Sequence, residues 1–271
     1  MAATLGCDRD DVLPVFGDTA RTPDSGSTTA ARGTFVVWKG AELLGADFGA
    51  QLRHAAANIL GRRPEDLVIA PGGLRDIRAN SDDLSMSFSA LAARLAPQAR
   101  PRAECSFDFP KTDYAAGNAR FIFAAGAALA RVAVDRATGA VYVLDLEQHV
   151  AAGPIVDPAS YVGQIEGGGM QGLGFTLTED MIPQAGHYVV DNFDGYMIPT
   201  AVDAPQTSRV FALEELEDDD ECGPRGVGEV GIGAVTPAIA AAIADACGVW
   251  PTVMPISPEH LLAAMSKGPL P

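Results

Sequence analysis

The sequence predicts an α+β fold of mixed sheets with packed helices, and three observations carry that expectation. Apolar residues recur at helical spacing through Leu44, Phe48, Leu52, Ala55 and Ile59, and again through Ile239, Ile243 and Ala246. Alternating apolar residues over 129–135 and 140–146, joined through Arg136-Ala137-Thr138-Gly139, form the clearest hairpin in the chain. The glycine-rich stretch from Gly163 to Gly174 is not preceded by a Val/Ile-rich strand leading into a complete G-x-G-x-x-G turn, so a doubly wound nucleotide-binding sheet finds little support. A chain of 271 residues can bury its core as one large domain or as two smaller ones, divided for instance into 1–150 and 151–271.

Taken in order, Met1 to Gly6 reads as the last turn of a helix closed by glycine, followed by the charged run 8–11 and a strand-like Val12 to Phe16. Such an opening is expected of a chain cut from a longer region. Residues 22–34 are rich in Ser, Thr and Gly and read as a loop; its hydroxyls, amides and Arg32 could satisfy the oxygens of a phosphate. The helix from Gly40 ends at Gly61, and His54 within it has no second ligand at metal spacing. A short strand at 67–70, a Gly72-Gly73 turn and a helix over 88–95 follow, then an irregular connection over 97–118. Beyond the hairpin, five glycines between 167 and 174 would each cost about 1 kcal/mol relative to alanine in an exposed helix, which predicts that something packs very close there. Strands are expected at 187–190, 196–198 and 209–213, with Phe193 and Tyr196 as candidate core aromatics.

The net charge of −16 argues against a nucleic-acid partner, because phosphate binding relies on clustered Lys and Arg. Part of the excess sits in 214–221, where every residue but Leu216 is acidic and a solvated loop is expected. Cys7, Cys105, Cys222 and Cys247 form no Cys-x-x-Cys pair, so no iron-sulfur or structural zinc site is readable, and reduced thiols in a cytoplasmic protein are expected. Neither a signal peptide nor an uninterrupted membrane-spanning segment is expected.

The stretch around which the rest is organised is Gly223-Pro224-Arg225-Gly226-Val227-Gly228-Glu229-Val230-Gly231-Ile232-Gly233. Its glycines allow positive φ and close approach while one carboxylate, Glu229, stands among them. Thr236-Pro237 is expected to cap and open the following helix, which Gly248 would end. A solvated loop acid is the plain reading of Glu229.

Gly226-Val227-Gly228-Glu229 resembles the catalytic signature of the molybdenum hydroxylases, the xanthine dehydrogenase and aldehyde oxidase family. Further segments match in order. Gly163-Gln164-Ile165-Glu166-Gly167-Gly168 with Gln171-Gly172-Leu173-Gly174 resembles that family's glycine-rich cofactor segment, and Tyr196-Met197-Ile198-Pro199-Thr200 resembles its next block. Pro255-Ile256-Ser257-Pro258-Glu259 is similar to its C-terminal end, and Ala31-Arg32-Gly33-Thr34 to its pterin-binding loop, with Ala31 where some members have serine.

The resemblance implies the C-terminal half of a molybdopterin-binding subunit that hydroxylates an N-heteroaromatic compound or an aldehyde with water as oxygen source. It implies Glu229 as general base, and Ala31, Arg32, Gly33, Thr34, Gln164 and Gly228 as cofactor contacts, the metal being held by the pterin rather than by side chains. The implied cofactor is molybdenum-molybdopterin, in its cytosine dinucleotide form. Implied partners are a chain carrying the N-terminal half of the molybdenum region, an iron-sulfur subunit and an FAD subunit, besides a small-molecule substrate. A non-catalytic assembly or cofactor-handling subunit of the same fold is the alternative.

Overall fold

The computed structural model describes residues 1–24, 28–107, 111–114, 117–120, 123–216 and 223–268. The chain divides into two compact units, Met1–Thr28 with Phe35–Pro110, and Thr29–Thr34 with Lys111–Pro271. The acidic run from 217 onward and Cys222 lie outside the described residues.

The first unit begins with a single helical turn, α1 (Ala2–Leu5), closed by Gly6 in the left-handed region at φ 81°, as the sequence predicts. Val12 to Phe16 forms no strand: Pro14 lacks a backbone donor, and Leu13 and Phe16 are exposed at 85% and 70%. The helix expected from Gly40 starts earlier, so α2 spans Gly33–Leu60 and stops at Gly61, φ 63°. Its Leu52, Ala56 and Ala57 pack on a three-stranded antiparallel sheet, β1 (Leu67–Ala70), β2 (Gly73–Asp76) and β3 (Met86–Ser87), and on α3 (Phe88–Arg94). The strand at 73–76 has no alternation to announce it. Its glycine is instead required by register, since a Cβ on Gly73 would overlap the Met86 carbonyl of β3. Ser87 caps α3 by accepting from the Ala90 amide at 3.1 Å.

Two buried carboxylates in this unit are neutralised by arginines. Asp66 accepts from Arg63 at 3.1 and 3.2 Å and from Arg78 at 2.5 Å, and Asp76 accepts from Arg62 at 2.8 Å. The Arg63 hydrogen bond holds the Asp66 carboxyl below its ordinary range, and the Arg78 amide does the same for Asp76.

The second unit contains a two-stranded ladder, β4 (Lys111–Tyr114) and β5 (Gly117–Arg120), and the predicted hairpin. That hairpin is longer than expected, with β6 (Ala125–Val134) antiparallel to β7 (Val141–Ala151). A second ladder, β8 (Pro183–Gln184) and β9 (His187–Tyr188), is only two residues long on each side, and Tyr196 to Ile198 makes no strand. Phe193 is 78% exposed rather than core, while Tyr196 is half-buried with its hydroxyl donating to Glu179 at 2.5 Å. The strand expected at 209–213 is β10 (Thr207–Leu213), which pairs in parallel with β7 and gives the order β10-β7-β6.

Helix α4 (Pro158–Leu177), capped by Asp157, and helix α6 (Val235–Cys247) build the core of this unit with the sheet, through Leu146, Leu173, Ile239 and Ile243. The short helix α5 (Val230–Gly233) leads into α6, and α7 (Pro258–Ser266) follows, capped by Ser257. Because α5 runs on through the single residue Ala234, Thr236 is inside α6 rather than at its cap. Its hydroxyl donates instead to the Gly172 carbonyl of α4 at 3.2 Å. Cys247 and Ala240 join the buried face of α6, whereas Ala246 is exposed; Gly248, φ 72°, ends the helix as expected. Val230–Cys247 is 18 residues long and apolar enough by composition to cross a membrane, but it is interrupted at Ala234 into two helices whose Val235, Ile239 and Ile243 join the core.

The glycines of α4 explain themselves unequally. A Cβ on Gly168 would come 2.9 Å from the Gly231 carbonyl carbon and 3.1 Å from the Ile232 nitrogen, both backbone atoms that cannot move aside cheaply. A Cβ on Gly167 would meet nothing within 4 Å outside its own helix backbone, so close packing does not account for that glycine. Gly168→Ala is therefore expected to cost about 1–3 kcal/mol. Gly167→Ala is expected to add about 0.5–1 kcal/mol. Urea unfolding of the two variants beside the parent checks both signs.

Candidate active site

The glycine-rich loop before α5 is fixed at two points. The Arg225 amide donates to the Ala152 carbonyl at 2.9 Å. Val227 is buried in a small cluster with Val150, Ala152, Tyr161 and Ile165. The Tyr161 hydroxyl donates to the Val150 carbonyl at 3.1 Å, and burial raises its pKa, so it remains a donor. Two glycines then let neighbouring backbone through. A Cβ on Gly226 would coincide with the Ala31 carbonyl oxygen, and one on Gly231 would lie 2.8 Å from the Ile165 carbonyl oxygen of α4.

Three of the residues predicted for the site meet here. A Cβ on Gly228 would stand 3.4 Å from Gln164 Oε1 and 3.7 Å from the Ala31 Cβ. Ala31 and its neighbour Ala30 both take left-handed backbone, φ 49° and 59°, a conformation that costs an alanine about 1–2 kcal/mol. Strain of this kind persists where the surroundings over-determine it; here the Ala31 peptide is packed against Gly226. Arg32 and Gly33-Thr34 continue from that turn into the start of α2, where a Cβ on Gly33 would meet open space.

Glu229 follows directly, as the residue flanking α5 on its N-terminal side, with φ −115° and ψ −20°. Its side chain is exposed on this chain, and among the described residues no hydrogen bond or ion pair engages the carboxylate. Gln164 is likewise exposed. In the sequence Gly226 is one of several glycines expected to allow close approach, and in the structure it is the one that admits Ala31. The sequence could not reveal the two left-handed alanines, which are set by the tertiary contact.

A molybdopterin offers phosphate and pterin oxygens, and the local donors suit it: the Arg32 guanidinium, the Thr34 hydroxyl, the amides at the start of α2 and the Gln164 carboxamide. The absent side chain at 228 leaves room between Gln164 and Ala31, so the residues present fit such a group. Among the described residues, no cluster of three or more His, Cys, Asp or Glu could hold a metal ion directly.

A sheet flanked by helices, with a glycine-defined bend presenting one acid beside a donor-rich turn, describes a cofactor-binding domain. The chain belongs to the molybdopterin cofactor-binding domain family, whose model matches residues 1–205. It is 43% identical over 263 residues to a probable xanthine dehydrogenase subunit of Bacillus subtilis, covering 97% of this chain and 34% of that one. It is 28% identical over 275 residues to a probable hypoxanthine oxidase of Escherichia coli K12, covering 98% of this chain and 27% of that one. Quinoline 2-oxidoreductase from Pseudomonas putida 86 superposes with a TM-score of 0.78 at 26% identity, over 99% of this chain and 34% of that one. The chain thus spans about a third of the length of the curated relatives it matches.

The packing makes Gly226 the hinge of the site. Gly226→Ala is expected to displace the 29–34 turn and to lower stability by about 1–3 kcal/mol. Thermal melting together with limited proteolysis of that turn measures both effects, and a variant that melts with the parent and keeps the turn protected would contradict the contact.

Proposed function

We propose that the chain forms the C-terminal half of the molybdenum site in an enzyme that hydroxylates carbon, oxidatively and with water as oxygen source, in an N-heteroaromatic compound or an aldehyde. The observation that carries this reading is the convergence of Ala31, Gly228 and Gln164 beside Glu229. Relatives bear names that point to N-heterocyclic substrates, among them the hypoxanthine oxidase, a nicotine 6-hydroxylase large subunit and the quinoline enzyme.

When bound, the molybdopterin supplies the redox chemistry, accepting the two electrons released as water and a C–H carbon become an alcohol or acid. The chain's own residues supply binding, orientation and a base. Arg32 and Thr34 hold phosphate and pterin oxygens, Gln164 donates its carboxamide to a cofactor oxygen, and Gly228 leaves space for the approach. Glu229, whose carboxylate has no partner among the described residues, takes the proton from the water oxygen at its Oε atom. Its exposure here suits a site closed by the part of the molybdenum region that this chain does not span, contributed by a partner chain.

The cytosine dinucleotide form of the cofactor follows from the bacterial members that the motifs resemble. Electrons leave through an iron-sulfur subunit and an FAD subunit. In support, relatives are named as parts of assemblies, one the gamma subunit of a dehydrogenase complex and another a molybdenum-binding subunit.

Glu229→Gln in the purified complex is expected to lower kcat by about 100-fold or more, with molybdenum content retained. Turnover assays beside metal analysis test this, and unchanged turnover would remove Glu229 from the base role.

A further inference from the structure

Four polar side chains are buried among the described residues, and Gln148 is the one that donates across the sheet into the helix carrying Gln164. It stands in the middle of β7, 2% exposed, on the inner face between Leu146 and Val150. Its Nε2 donates to the Ile165 carbonyl at 3.0 Å. One helical turn on, a Cβ at Gly169 would come 2.7 Å from that same Nε2, so the amide occupies a slot that glycine leaves open. On another side of the Ile165 peptide, Gly231 of α5 packs against the same carbonyl oxygen. The Ile165–Glu166 peptide is therefore held between the carboxamide of β7 and the backbone of α5.

Stability alone does not call for glutamine at this position. The Ile165 carbonyl already serves the helical ladder of α4, and a carbonyl oxygen has two lone pairs. An apolar side chain of similar volume, such as methionine, would leave no acceptor orphaned and would spare the burial of an amide. What the carboxamide adds is direction. An apolar contact lets α4 turn slightly about its axis, whereas a hydrogen bond at one carbonyl fixes that rotation. Gln164, one residue away, then keeps its place against Gly228, and Gly231 keeps its seat below Glu229.

We infer that Gln148 is a positioning residue: its hydrogen bond to Ile165 sets the rotation of α4 and thereby aligns Gln164 with the bend that presents Glu229. The inference rests on the proposed function in so far as that alignment serves turnover. A displacement of about 1 Å at a catalytic centre can cost up to about 100-fold in rate, so the effect is expected in kcat rather than in folding.

The test is Gln148→Met in the assembled complex, with three readouts: melting temperature, hydrogen exchange of peptides covering 164–169 and 226–231, and the separate values of kcat and KM at equal molybdenum content. The expected result is a melting temperature close to that of the parent and faster exchange confined to those two segments. With it goes a kcat lower by about 10- to 100-fold at nearly constant KM. Unchanged exchange, or faster exchange with unchanged kcat, overturns the inference. A fall in kcat matched by a large drop in melting temperature and faster exchange throughout also overturns it, since the role would then be structural. If Glu229→Gln leaves turnover intact, the proposed base role fails separately, while the exchange comparison still decides whether Gln148 holds α4.

Discussion

The structure of the second unit depends on backbone meeting backbone where α4 crosses the segment from Gly226 to Ile232. Gly168 rests on Gly231, Gly231 rests on the Ile165 carbonyl, and Gly226 admits the Ala31 carbonyl. No side chain can be inserted at these points without pushing main chain apart, and close-packed interiors relax only partly when forced. The consequence is a bend whose path is set by contact rather than by its own conformational preference. The acid at 229 inherits its direction from that path.

The same constraint links elements far apart in sequence. The 29–34 turn, the middle of α4 and the 223–229 loop lie far apart along the chain, yet they converge through glycines and one buried carboxamide. Donors gather on the turn and on α4, the single acid stands on the bend, and the hydrophobic core formed by α6 and the sheet lies beneath. A rigid base under a small polar group is the arrangement by which orientation, rather than strong individual contacts, contributes to rate.

Much of this was legible in the sequence because local signals agreed with the final structure. The hairpin at 136–139, the helix stop at Gly61 and the close packing at Gly168 and Gly172 each follow from residue type and spacing. What could not be read has physical reasons. The strand at 73–76 is specified by its neighbour rather than by its own alternation, and Val12 to Phe16 carries a strand-like pattern without a partner to pair with. Thr236 looks like a cap, yet its hydroxyl is used by α4 because another short helix precedes it. The candidate site residues come from motif resemblance, whereas their juxtaposition, and the left-handed alanines beside Gly226, arise only from tertiary contact.

Among the described residues nothing engages the Glu229 carboxylate, which is open to solvent, and the proposed function requires it to be covered in the complete enzyme. The most direct measurement is an experimental structure of the assembled, cofactor-loaded complex, read at one side chain. The account requires the carboxylate of Glu229 to be covered by a neighbouring chain and turned toward the bound pterin. A carboxylate still in bulk water, facing away from the cofactor in the complete assembly, would contradict it.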